Sequence, residues 1–191
     1  MILSMPKLKP VQDVKAHDHT CLFFNSESEF FHCAIPFIRE GLKNNEKCFI
    51  VLDEITRESM FHNFKLVFRE GHIPPIEFSN EGRIVILNCK DVYLIDGYFD
   101  SERTIRNYNE IMNKTLNDGY TGVRVIAEFS RTIFNNIEIN KLVRYEDDVN
   151  KLFTNKLSAI CSYNKKYFSP SDIKSTCNVH PIEVDSIRTR I

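Results

Sequence analysis

The chain has 191 residues, 42% of them hydrophobic and 12% aromatic, which is enough for one domain with a sizeable core. Its formal net charge of −1 creates no field that would recruit nucleic acid, and no dense Lys/Arg patch takes its place. The opening MILSMPKLKP has too short an apolar run for a signal peptide, and no stretch approaches the ~20 apolar residues of a membrane span, so the sequence reads as a soluble cytoplasmic protein.

Residues 1–15 read as a tail or peripheral segment. AHDHTCLFF (16–24) sets His17, His19 and Cys21 at alternate positions running into a short buried strand. SESEFFHCAIPFIREGL (26–42) carries Phe30, Ala34, Phe37 and Ile38 at helical spacing, with a kink predicted at Pro36. KCFIVLDE (47–54) is a strand. The helix over 56–71 repeats Met60, Phe61, Phe64 and Phe68 and stops at Gly71. GRIVILNC (82–89) is a strand, and the helix over 101–119 bears Ile105, Tyr108, Met112 and Leu116 on one face. GVRVIAEFS (122–130) is a further strand, and the helix over 137–153 aligns Leu142, Tyr145, Val149 and Leu152. LSAICSY (157–163) is the fifth strand. In SPSDIKSTC (169–177), Ser169 serves as N-cap, Pro170 as first residue and Asp172 as third. HPIEV (180–184) adds an extended edge piece, and 185–191 reads as a C-terminal tail. The six cysteines form no CxxC pair and read as small buried hydrophobes rather than a disulfide framework.

Strand and helix alternate throughout, which predicts one domain over 16–184. The expected fold is a three-layer α/β sandwich with a mostly parallel sheet covered on both faces. In such sheets ligands bind beyond the carboxyl ends of the strands. Those ends offer Asn25, Asp53, Glu54, Cys89, Asp91, Tyr93, Glu128, Ser130, Arg131, Tyr163 and Asn164. Glu128 interrupts an apolar strand, where an unpaired charge is costly. It is either an ion-pair partner of a helix, Arg124 or Arg131, or a carboxylate lining a pocket with Tyr93 and Tyr163. No P-loop, GxGxxG, GxSxG, HExxH or paired CxxC motif is present. His17, His19 and Cys21 sit at a strand entrance, on the edge opposite the usual ligand rim. His180 belongs to the same edge, and no metal is assigned there.

Several of these segments together resemble the MEDS domain, the methanogen/methylotroph sensory domain, over about residues 17–181. DHTCLFF resembles its opening His-containing strand, and PFIREGLKNNEKCFIVLDE the helix, turn and strand that follow. EGRIVILNCKDVYLIDGYFD resembles the segment leading to a Gly-aromatic-Asp turn. GYTGVRVIAEFS is similar to the strand of pattern GY-x-G-x-R-x-x-x-E, and LVRYEDDVNKLF to the YE-bearing helix. CSYNKKYFSP, followed by the later His-Pro, resembles the closing elements. Asn45 and Phe129 depart from the family, which tends to have Gly and Met there.

The resemblance implies a RecA-like or Rossmann-like α/β domain without a phosphate loop. Such a domain would sense simple hydrocarbon derivatives in prokaryotic signal transduction, fused or docked to an output module. It matches His19, Glu128, Tyr163 and His180 to family positions; His17 has no counterpart. The expected function is therefore binding of a small organic ligand without catalysis or cofactor, through Glu128, Tyr163, Tyr93, Arg124, His19 and His180. The expected partners are a signalling protein or output module, or a second copy in a homodimer, with neither nucleic acid nor membrane bound directly. The alternatives are a degenerate RecA-like nucleotide-binding module, and a metal- or redox-responsive sensor using His19, His180 and cysteines.

Overall fold

A computed structural model describes residues 6–54, 56–57, 82–153 and 156–188. The helix expected over 56–71 falls, but for its first two positions, outside the described residues, as do His62 and His72. Among the described residues seven strands form one sheet: β1 (Lys7–Lys9), β2 (His19–Phe24), β3 (Lys47–Leu52), β4 (Ile84–Asn88), β5 (Val123–Phe129), β6 (Leu157–Asn164) and β7 (Ile182–Val184). They lie in the order β1-β7-β2-β6-β5-β3-β4, and every pairing is parallel. The central strands are buried on both sides, as near-continuous apolar runs in parallel sheets require.

Helix α1 (Glu27–Lys43) covers one face, its Phe30, Ala34, Phe37 and Ile38 packing on Leu22, Phe24, Ile50 and Ile126. Ser26 caps it by accepting from the Glu29 amide, and its helical span continues through Pro36. The other face carries α2 (Cys89–Tyr93), α3 (Ser101–Asn117), α4 (Arg131–Asn136), α5 (Ile139–Val149) and α6 (Pro170–Cys177). The Ser169–Asp172 capping box with Pro170 starts α6 as its sequence predicts. The result is the expected three-layer sandwich. The N-terminal segment contributes more than a tail, because β1 adds an edge strand beside β7 and Val11 and Val14 enter the α1 core. The last extended piece, β7, lies between β1 and β2 rather than at the edge. Among the described residues no helix is long and apolar enough to cross a membrane.

Alternation along β5 decides which side chains share a face. Val125, Ala127 and Phe129 meet the multi-helix layer, whereas Arg124 and Ile126 meet α1. Arg124 is buried; its Nε lies 2.6 Å from Glu46 Oε2, and Nη1 donates to the Phe37 carbonyl at 3.1 Å. Its guanidinium carbon lies 4.5 Å from the Phe37 ring centroid. This pinned side chain runs over Gly41, where a Cβ would fall 2.8 Å from Arg124 Cδ and 2.7 Å from Cys48 Sγ. Gly41→Ala is therefore expected to cost about 1–3 kcal/mol in a urea titration, as overpacking does. An unchanged midpoint would contradict this packing.

Candidate functional site: a buried carboxylate between two histidines and a thiol

Helix α5 turns Leu142, Tyr145, Glu146 and Val149 inward. Three of these are the apolar stripe its spacing predicts; the fourth is a carboxylate at 0% exposure. Glu146 Oε1 accepts a hydrogen bond from the Tyr163 hydroxyl at 3.0 Å. Oε2 lies 3.2 Å from His19 Nε2, 3.3 Å from Cys161 Sγ and 3.5 Å from His180 Nε2. His19 opens β2, Cys161 and Tyr163 alternate on β6, and His180 follows α6 just before β7.

An outer set of groups orients both rings. His19 Nδ1 lies 2.9 Å from Asn150 Oδ1, and the Asn150 amide nitrogen donates to the Val179 carbonyl at 2.9 Å. His180 Nδ1 lies 2.7 Å from the Thr176 carbonyl oxygen. The two imidazoles meet with centroids 4.3 Å apart, and His19 stacks on Phe153 at 4.5 Å.

Burial works against the Glu146 charge, but contact with His180 and His19 outweighs it and holds the carboxyl well below the usual range. Burial lowers the His19 pKa, helped by neighbouring His180, against the pull of Glu146 and Asn150. Burial and then the Glu146 charge push the Cys161 thiol and Tyr163 phenol well up.

Of the residues singled out from sequence, His19, His180 and Tyr163 are brought together here. Tyr93 stands in the neighbouring aromatic wall, its hydroxyl 3.1 Å from that of Tyr108. Glu128 and Arg124 do not join them. Strand alternation turns both away from the face that carries Tyr163, so the grouping of Glu128 with Tyr93 and Tyr163 does not form. The ion pair with Arg124 does not form either. Glu128 instead accepts from the Asp53 amide at 3.1 Å, Thr56 Oγ1 at 2.9 Å and the Ser130 hydroxyl. Burial raises its pKa against those three hydrogen bonds. His17 is exposed, in the left-handed backbone region at φ 73°, and contributes nothing to the cluster.

Sequence reasoning missed Glu146, Cys161 and Asn150. Glu146 had a readable signal, because a carboxylate on the apolar stripe of a helix has to be met by partners from the sheet it covers.

Beside the cluster, a cavity of about 230 Å³ opens between the sheet and helices α2 and α3. Phe49, Val51, Leu87, Val92, Ile111 and Val125 make its walls apolar, and Asp91, Thr104, Asn107 and Tyr108 add polar groups. A smaller void of about 30 Å³, lined by Tyr108, Tyr93, Tyr145, Glu146, His19 and Cys161, separates it from the cluster.

The family model of the MEthanogen/methylotroph, DcmR Sensory domain, MEDS, matches residues 18–181. The chain belongs to the MEDS family. The match takes in every member of the cluster, from His19 to His180. This MEDS domain is 20% identical over 170 residues to the transcriptional repressor DcmR of Methylorubrum extorquens, covering 88% of the chain and 60% of the repressor. The domain thus spans about three-fifths of that relative's length. Its fold is similar to the flagellar accessory protein FlaH from Methanocaldococcus jannaschii, with a TM-score of 0.53 and 10% identity over 93% of this chain and 78% of that one. That likeness concerns fold alone. By its family the chain is a sensory domain.

With three donors on one carboxylate, Glu128→Gln replaces an acceptor-only group by one that must also donate. Denaturation is expected to show a loss of about 2 kcal/mol. Unchanged stability would contradict a holding role for Glu128.

Proposed function

We propose that this MEDS domain is a non-enzymatic sensor. It takes a small, mostly apolar organic molecule into the cavity between the sheet and α3 and passes its presence to an output module or partner protein in the cytoplasm. The carrying observation is the cavity itself: about 230 Å³ of largely apolar space with a few polar groups, Asp91, Asn107 and Tyr108, on its wall. Small-ligand sites share that composition, and a cavity of about 150 Å³ already suffices for benzene. The sensory family and the distant repressor relative support the regulatory half of the reading. The tyrosines between cavity and cluster support a role for Tyr93, Tyr163 and His19 in registering occupancy rather than in touching the ligand first.

A thermal-shift panel of benzene, short-chain alcohols and alkylamines tests this reading. At least one class is expected to raise the melting temperature in a concentration-dependent way, since a ligand at a hundredfold its Kd adds about 2.7 kcal/mol. Ile111→Trp, which fills the cavity, is expected to abolish the shift. No shift with any class, or an equal shift in Ile111→Trp, would overturn the reading.

A further inference from the structure

We propose that His19, Glu146, Cys161 and His180 form a four-coordinate site for a divalent transition metal, zinc by its donor set. The proposal is independent of what the neighbouring cavity binds. One ligand atom from each residue lies within 4.8 Å of all the others, and all four residues are buried. Tetrahedral zinc, with bonds of about 2.0–2.3 Å, holds its ligand atoms roughly 3.3–3.7 Å apart. The distances His19 Nε2–Glu146 Oε2 of 3.2 Å, His19 Nε2–Cys161 Sγ of 3.3 Å, Cys161 Sγ–Glu146 Oε2 of 3.3 Å and His180 Nε2–Glu146 Oε2 of 3.5 Å are edges of that size.

The hydrogen bonds outside the cluster set the tautomers. Asn150 commits its amide nitrogen to the Val179 carbonyl and so presents an acceptor to His19 Nδ1; His180 Nδ1 faces the Thr176 carbonyl. Each ring therefore has an acceptor that holds a proton on Nδ1, and it turns Nε2 inward as the atom a metal ion would take. This is the outer arrangement that metal-binding histidines use. Among the described residues His180 Nε2, though buried, has no hydrogen-bond partner, and it points at the carboxylate 3.5 Å away. Tyr163 takes Glu146 Oε1, which leaves Oε2 as a single donor.

Charge also balances. Two neutral imidazoles, a thiolate and a carboxylate carry two negative charges, which a divalent ion cancels, so the loaded site is neutral where water is excluded. On loading, the Cys161 thiol gives its proton to solvent and its sulfur forms the metal bond. With all four positions filled by protein, the site suits holding or sensing a metal rather than catalysis.

The test uses cobalt(II) and zinc(II) alone, added while the full chain refolds from denaturant under reducing conditions. The expected result is about one equivalent of cobalt bound, with the strong visible bands of a tetrahedral ion and a near-ultraviolet thiolate charge-transfer band, both displaced by zinc. Cys161→Ser is expected to lose the charge-transfer band. Asn150→Leu keeps all four ligands but frees the His19 tautomer, and is expected to weaken binding roughly 10- to 100-fold. Ile111→Trp, in the cavity, should leave cobalt binding unchanged, so failure here and failure of the organic-ligand reading are distinguishable. Wild-type protein that folds without taking up cobalt, or a Cys161→Ser spectrum identical to wild type, would overturn the site.

Discussion

A carboxylate with no access to water must find every partner inside the protein, and Glu146 meets its partners from three directions. Tyr163 and Cys161 come from β6, His19 from the start of β2, and His180 from the turn that leads into β7. His19 comes from 127 residues away in sequence, so the full set of partners needs β2 seated beside β6. The same contacts tie down the C-terminal part of the domain. Asn150 links the end of α5 to Val179, and His180 closes on the last turn of α6 through the Thr176 carbonyl. Breaking such a network by removing one partner is far more costly than exchanging a surface charge, because the remaining charge stays buried.

The two faces of the sheet divide the work. Toward α1, Arg124 and Glu46 form a buried pair that fixes helix to sheet, and Glu128 holds the β3 and β5 ends together through Asp53, Thr56 and Ser130. Toward the other layer, the odd-numbered residues of β5 and β6 present Val125, Ala127, Cys161 and Tyr163 to the cavity and the cluster. Tyr108 lines both the cavity and the small void beside Glu146, and its hydroxyl meets that of Tyr93. A molecule that displaces Tyr108 therefore alters a wall of the polar cluster directly. Cavity and cluster are contiguous through aromatic rings.

The layered fold was legible because apolar runs of strand length alternate with helical stripes such as Phe30–Ala34–Phe37–Ile38 and Leu142–Tyr145–Val149. Strand order was not, since nothing in HPIEV reveals that β7 lies between β1 and β2. Within the site, His19 and His180 were legible as sharing the strand-entrance edge but not as meeting, and the structure brings the two rings into contact. Glu128 drew attention because it is a charge in an apolar strand, yet the parity of β5 turns it away from Tyr163. Cys161 has no local signal that separates it from a small core residue, because its significance lies in what α5 places above it. Glu146 alone was within reach, one position from Tyr145 on the same buried stripe.

The central claim is that both imidazoles keep a proton on Nδ1 and turn Nε2 toward Glu146 and Cys161. Nitrogen-15 spectra of the histidine rings in metal-free protein at neutral pH test it most directly. The account predicts a His19 proton on Nδ1, held by Asn150, and a His180 Nδ1 proton held by the Thr176 carbonyl. A His19 ring with Nδ1 bare would contradict it, because Asn150 would then not hold the ring's proton outside the cluster.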